Sequence, residues 1–252
     1  MYMLLNCSQK LKRHLYILFL SFSLLFSNGC DLYYKAVTPN IPVFDENEII
    51  KAEIVASNNG IDGKANLRVL QYGVIQFQAN FADRSIFLRG KNSYYCLGGG
   101  GLYQSSKSHI SFVGGYGRGW LEFSEGIMAH NYRGTGEYDQ IYVQPAFAYN
   151  FGKLMLGISS KTALMNYRIV DISNPEFTPE NTGVELNKNY KTCSIEPCLF
   201  IKADIYREVD LSLYISKNLF FSEIPYYRDL RKSELCLGVG LTIKFFKKAK
   251  NH

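Results

Sequence analysis

Strict alternation of apolar and polar positions marks the second half of the chain. Ile141, Val143, Pro145, Phe147 and Tyr149 share one face of segment 140–150, opposite Gln140, Gln144, Ala146 and Asn150. Segment 194–206 sets Ile195, Leu199, Ile201, Ala203 and Ile205 against Glu196, Lys202, Asp204 and Tyr206, and segment 209–216 sets Val209, Leu211, Leu213 and Ile215 against Asp210, Ser212, Tyr214 and Ser216. The last, 234–245, places Leu235, Leu237, Val239, Leu241, Ile243 and Phe245 opposite Glu234, Cys236, Gly238, Gly240, Thr242 and Lys244. A period of two is that of a β-strand with two different faces. Weaker alternation around 50–56, 64–71, 74–82, 93–103, 110–118 and 154–166 brings the total to about ten strands.

Alternation fits any half-buried antiparallel sheet, so the connections decide the architecture. After even-numbered strands they are short: Tyr72-Gly73, Gln104 to His109, Phe151 to Lys153, and Arg207-Glu208. After odd-numbered strands they are longer: Asp83 to Asn92, Gly119 to Asp139, Tyr167 to Thr192 and Leu219 to Lys232, with Asn58 to Asp62 the short exception. Short turns at one end and long loops at the other are the layout of an outer-membrane barrel, whose short turns face the periplasm. The expected fold is all-β, an antiparallel up-and-down β-barrel of about ten strands over residues 49–246. Val143-Gln144-Pro145 and Ile195-Glu196-Pro197 open two similar hairpins, and each proline, lacking a ladder donor, is expected at a bulge.

In such a barrel the polar faces point inward and carry Lys51, Glu53, Arg68, Glu196, Lys202, Asp204, Asp210, Glu234 and Lys244. A wide aqueous channel needs ~16 strands or more, so these opposed charges are expected to pair and fill a narrow lumen. The competing arrangement is a soluble periplasmic barrel, tethered only by a lipid, that binds a small apolar ligand inside. It requires the apolar faces to point inward.

The amino terminus fits export. Lys10, Lys12 and Arg13 precede an apolar run from Leu15 to Phe26, then Ser27-Asn28-Gly29-Cys30. A run of about 12 residues is a signal-peptide core and too short for a spanning helix, which takes ~20. Gly29-Cys30 resembles the lipobox of bacterial lipoproteins, although Ser27 stands where Leu is common. That resemblance implies acylation of Cys30; with the layout before it, the expected division is a signal peptide at 1–29, a lipidated linker at 30–48, the barrel, and a basic tail at 247–252. The linker is expected to run along the periplasmic rim between lipid and first strand. Two or three acyl chains, at ~0.8 kcal/mol per buried methylene, hold a protein on a membrane persistently.

Ala36-Val37-Thr38-Pro39-Asn40-Ile41-Pro42-Val43-Phe44, followed by Glu46 and Glu48, together with Ile195-Glu196-Pro197, resembles a group of Bacteroidota outer-membrane β-barrel-like lipoproteins of unknown function. The resemblance implies a lipid-anchored outer-membrane barrel and carries no functional residue with it.

Composition agrees with β-structure: 19 Tyr and 17 Phe stand beside one Trp, and there are 21 Gly. Part of the +6 net charge lies in the export segment and the Lys247-Lys248-Ala249-Lys250 tail, so no basic stripe points to nucleic acid. Cys96, Cys193, Cys198 and Cys236 lack the spacing of a disulfide framework or metal knuckle, and they are expected as unpaired apolar residues. Ser124, His130 and Asp139 form no recognisable nucleophile motif, and Gly98–Gly101 lacks the helix and Lys-Ser/Thr pair of a phosphate loop. Tight strand curvature is the expected use of those glycines and of Gly114–Gly119, with Tyr116 and Trp120 in an interfacial aromatic belt. No catalytic activity, cofactor or metal is expected. The partners expected are outer-membrane lipid and an unspecified extracellular partner met through loops 119–139 and 167–192.

Overall fold

The computed structural model describes residues 37–44, 48–83, 90–127, 130–172, 185–222 and 234–246. Ten strands follow one another: β1 (Glu48–Ser57), β2 (Gly60–Val69), β3 (Gly73–Asp83), β4 (Gly90–Gln104), β5 (Ser108–Ile127), β6 (His130–Asn150), β7 (Leu154–Ile172), β8 (Asn189–Tyr206), β9 (Val209–Ser222) and β10 (Glu234–Phe246). Every strand pairs antiparallel with its sequence neighbours, and β1 closes on β10 with Lys51 opposite Lys244. Closure gives every strand a neighbour on both sides over most of its length.

The apolar faces point outward. Ile141, Val143 and Phe147 on β6, Leu199 and Ile201 on β8, and Leu237 through Phe245 at every second position on β10 are exposed. Their alternates Gln140, Gln144, Glu196, Lys202, Thr242 and Lys244 are buried in the lumen. This is the reverse of what an apolar-ligand binder needs, and that alternative is overturned by the direction of the strand faces.

Three expectations need correction. Residues 119–139 are not a loop, because β5 continues to Ile127 and β6 starts at His130, with the ladder unbroken from Arg118↔Asp139 to Ile127↔His130. Likewise 167–192 is partly strand, since β7 reaches Ile172 and β8 begins at Asn189. Along the described parts of these stretches Glu122, Glu137, Asp139 and Arg168 join the outward rows while the inward rows mix glycine with Leu121, Tyr138 and Ile169, so the alternation fades although the hydrogen bonds continue. The prolines make no bulge: pairing steps from Val143↔Thr162 to Ala146↔Ser159, and from Ile195↔Leu219 to Cys198↔Ser216, with the register unchanged. Each proline leaves a gap on the side where its missing N–H would have bonded.

The four cysteines are thiols, with Cys198 buried inward and Cys193 half-buried on the opposite face. Inward-facing glycines serve packing rather than curvature. Tyr94 stacks on Tyr138 at 6.2 Å, and Tyr138 on Tyr167 at 6.4 Å, each ring lying over glycine backbone of a neighbouring strand. A Cβ on Gly117 would stand 2.7 Å from the Tyr94 ring, whereas one on outward-facing Gly99 would meet only a carbonyl at 3.5 Å. Gly117→Val is therefore expected to cost about 1–3 kcal/mol through overpacking. Gly99→Val is expected to be tolerated, and the heat-modifiability midpoint on a gel distinguishes the two.

Candidate functional site

The short connections and the ends of β1 and β10 form one end of the barrel, here the turn end; the opposite end is the loop end. Residues Val37–Phe44 do not follow the rim, as the linker reading expects. They run inside the lumen as a strap, and every one of them is buried. The reason lies in how the wall supplies hydrogen bonds to a chain that has no strand beside it. Buried backbone polar groups need partners, and prolines at 39 and 42 remove two donors at the outset. Side chains of the wall meet three of the strap's carbonyls. Gln78 Nε2 donates to the Thr38 carbonyl at 2.7 Å, Lys64 Nζ to that of Pro39 at 3.0 Å, and Gln144 Nε2 to that of Asn40 at 2.8 Å.

Asp62 receives the Thr38 hydroxyl at 2.6 Å and its N–H at 3.3 Å, and Asn80 Nδ2 at 2.9 Å. Several donors thus meet a carboxylate that has no contact with water. Asn40 bonds the wall on both sides of its amide, receiving Asn66 Nδ2 at 2.6 Å and donating to the Phe77 carbonyl at 2.9 Å. The Val43 N–H returns to the Ile41 carbonyl at 3.0 Å, closing a three-residue turn.

The strap's apolar side chains occupy successive levels. Val37 belongs to the cluster of Tyr94, Tyr138, Tyr142 and Tyr167, Ile41 and Val43 to that of Val55, Met155, Phe200 and Tyr214, and Phe44 to that of Val74, Leu102 and Val113. Val74 and Leu102 flank the turn end, so the chain descends from the loop end at Val37 to the turn end at Phe44 before opening β1.

The charged lumen residues fall into groups. At the turn end, Lys244 Nζ lies 2.6 Å from Asp210 and 3.2 Å from Asp204, and Lys51 lies 3.8 Å from Asp210 and 3.2 Å from Glu48. Asp204 is half-exposed there, and Lys202 is buried in the small cleft that Val43, Lys51 and Asp210 also line. Higher up, Glu53 pairs with Lys64 at 3.4 Å and accepts the Tyr214 hydroxyl at 2.7 Å. Arg68 donates to Gln104 at 3.0 Å and covers the Phe44 ring at 5.7 Å, and fully buried Glu196 accepts from Ser194 at 3.4 Å. Glu234 opens β10, but its side chain lies outside the described residues, as does Cys30.

Sequence reasoning missed Glu48, Asp62, Lys64 and Lys161. The last is buried between the rings of Tyr94 and Tyr142, at 4.9 and 5.1 Å, and donates to the Tyr94 hydroxyl. Asp62 and Lys64 alternate on β2, and that signal was present at the start of the strand. Ser124, His130 and Asp139 are not brought together, since His130 and Asp139 lie nine residues apart on one strand, ~30 Å at strand rise.

Outside, the apolar surface is bounded at two levels. Toward the loop end, Arg118 pairs with Glu137 at 3.2 Å and with Asp139 at 3.8 Å, Arg168 also contacts Glu137, and Tyr116 donates to Asp139 at 2.5 Å. Trp120 lies beneath the Arg118 guanidinium at 5.4 Å and beside Tyr95 at 5.6 Å. At the turn end, Tyr72, Tyr103, Tyr149, Phe151 and Tyr206 are exposed. On β6 the outward row between these limits, Asp139 to Tyr149, holds Ile141, Val143, Pro145 and Phe147. With strands tilted by ~40°, it spans about 25 Å.

No family model and no curated protein matches the chain. Among solved structures it is similar to the outer membrane protease OmpT from Escherichia coli, at 8% identity over 79% of this chain and 94% of that one, with a TM-score of 0.44. It is also similar to a KdgM porin in complex with disordered oligogalacturonate, at 8% identity over 78% of this chain and 98% of that one, with a TM-score of 0.33. At this degree of likeness neither protein's activity nor its ligand transfers to this chain.

Proposed function

We propose that the protein is a lipid-anchored barrel that spans the bacterial outer membrane, is closed to solutes, and serves a structural or surface-interaction role without catalysis. The observation that carries this reading is the outward apolar band of about 25 Å, bounded by aromatic and charged rows, which is the height of a hydrocarbon layer crossed by tilted strands. A body with this surface exposed to water would present far more contiguous apolar area than a soluble monomer tolerates. The lumen supports the closed state. Glu53 pairs with Lys64 and Asp210 with Lys244, Gln78 and Gln144 bond the strap, and the strap's apolar residues pack against inward side chains at three levels.

Acylation of Cys30 then supplies a second attachment rather than the only one. The connections at the loop end, including the exposed residues Glu185 to Lys188, are where an extracellular partner would be met. Cys30→Ala is expected to abolish acyl labelling while the protein stays in the membrane fraction through alkaline carbonate extraction. Release of the Cys30→Ala protein into the soluble fraction, in folded form, would show that the lipid alone had held it.

A further inference from the structure

The strap has a direction, and the direction bears on where the lipid sits. We infer that the acylated amino terminus lies at the loop end of the barrel and inserts in the leaflet on that side, opposite to the leaflet beside the first strand. The inference rests on the membrane-spanning reading above and on the course of Val37–Phe44.

Phe44 packs near the turn end, against Val74 and Leu102, and Lys51 and Arg68 approach its ring to 6.0 and 5.7 Å. Thr38 is bonded to Asp62, two residues below the loop-end start of β2, and its Cγ2 stands 2.7 Å from where a Cβ on Gly238 would be. The chain therefore reaches the lumen's far side by Val37, level with the β1–β2 hairpin. That hairpin is the lowest part of the wall: β1 and β2 have 10 residues each, against 20 and 21 in β5 and β6. A chain leaving the lumen there meets the outer boundary of the apolar band without climbing the tall side.

The other routes are closed by packing and by the hydrocarbon layer, since length alone would just allow a straight return over a band of ~25 Å. Cys30 precedes Val37 by seven residues, which reach at most ~25 Å when fully extended. Returning to the turn end inside would require a second stretch of chain beside a strap that is itself buried, with Thr38 and Asn40 at 0% and 1% exposure. Returning outside would draw unpaired backbone across the hydrocarbon layer, where each unmet polar group costs several kcal/mol. The remaining route leads to the leaflet at the loop end.

Accessibility in intact cells tests this. Single cysteines are introduced as Lys35→Cys, as Asn187→Cys in the exposed β7–β8 connection, and as Lys107→Cys in the exposed β4–β5 turn. Each is treated with a membrane-impermeant maleimide and normalised to labelling after denaturation, with the parent chain as background. The inference expects Lys35→Cys to label like Asn187→Cys, and Lys107→Cys to lose its signal until the cells are permeabilised. If Lys35→Cys tracks Lys107→Cys while Asn187→Cys stays accessible, the inference is overturned and the spanning barrel stands. If Asn187→Cys and Lys107→Cys behave alike, the spanning reading itself fails. A short epitope inserted after Tyr34, read by antibody on intact cells, repeats the measurement should Lys35→Cys reduce expression.

Discussion

Replacing residues 37–44 by an equally long Gly/Ser segment is expected to turn a non-conducting barrel into one that passes small ions. The wall itself is polar inside: Gln76, Gln78, Asn80, Gln144, Ser194 and Ser212 are all buried against the lumen or the strap. Once Thr38, Asn40, Ile41 and Phe44 are removed, their former partners face one another across a space that water can enter. A ten-stranded barrel is too narrow for a wide channel, so the expected conductance is small and depends on the Lys and Glu rows. Planar-bilayer recording of the purified protein checks this. The parent chain is expected to be silent and the strap variant to show discrete steps, with heat-modifiability confirming that the variant is folded. A silent, folded variant would mean that the wall side chains close the lumen without the strap.

The second large effect is expected at Glu53. Its carboxylate is buried, pairs with Lys64, and accepts the Tyr214 hydroxyl, while Lys64 in turn donates to the strap at Pro39 and stands 4.0 Å from the Tyr214 ring. Glu53→Ala removes one partner of a buried pair and leaves a lysine without its counter-charge, a loss of about 3–5 kcal/mol. Glu53→Gln keeps an acceptor for Tyr214 and is expected to cost less. The double variant Glu53→Ala/Lys64→Met removes both charges and is expected to recover much of the loss, because a buried pair exchanged for apolar bulk is often close to neutral. Denaturant midpoints of the three variants in detergent measure this. Equal midpoints for Glu53→Ala and the double variant would show that the pair is not coupled.

The strand pattern and the short turns were legible because the outward rows of this barrel are nearly continuous apolar runs while the inward rows of the clearest strands are mostly polar or small. Ile141, Val143 and Phe147 alternate with Gln140, Gln144 and Ala146, and nothing in that row resembles a helix or a soluble core. The strap was illegible for a related reason. A polar lumen selects the same residues as water does, so Thr38, Pro39, Asn40 and Pro42 read as a solvated linker although all four are buried. The upper parts of β5 and β6 read as a loop because, beyond the apolar band, Glu122, Glu137 and Asp139 face outward and erase the contrast between faces. The glycines gave no hint of their use, since what they accommodate is a ring set by the register of the next strand, as Gly119 does for Tyr138 and Gly136 for Tyr167.

The occupation of the lumen by the chain's own residues is tested most directly by linking strap to wall in the membrane-embedded protein. Asn40 and Asn66, whose amides meet at 2.6 Å, are replaced by cysteine and treated with a short bifunctional thiol reagent, and Lys51→Cys/Lys244→Cys reports on the β1–β10 seam. The account predicts that both pairs cross-link in one chain, giving a tryptic product that joins the strap to β2. A seam that links while the 40–66 pair stays unlinked would contradict it.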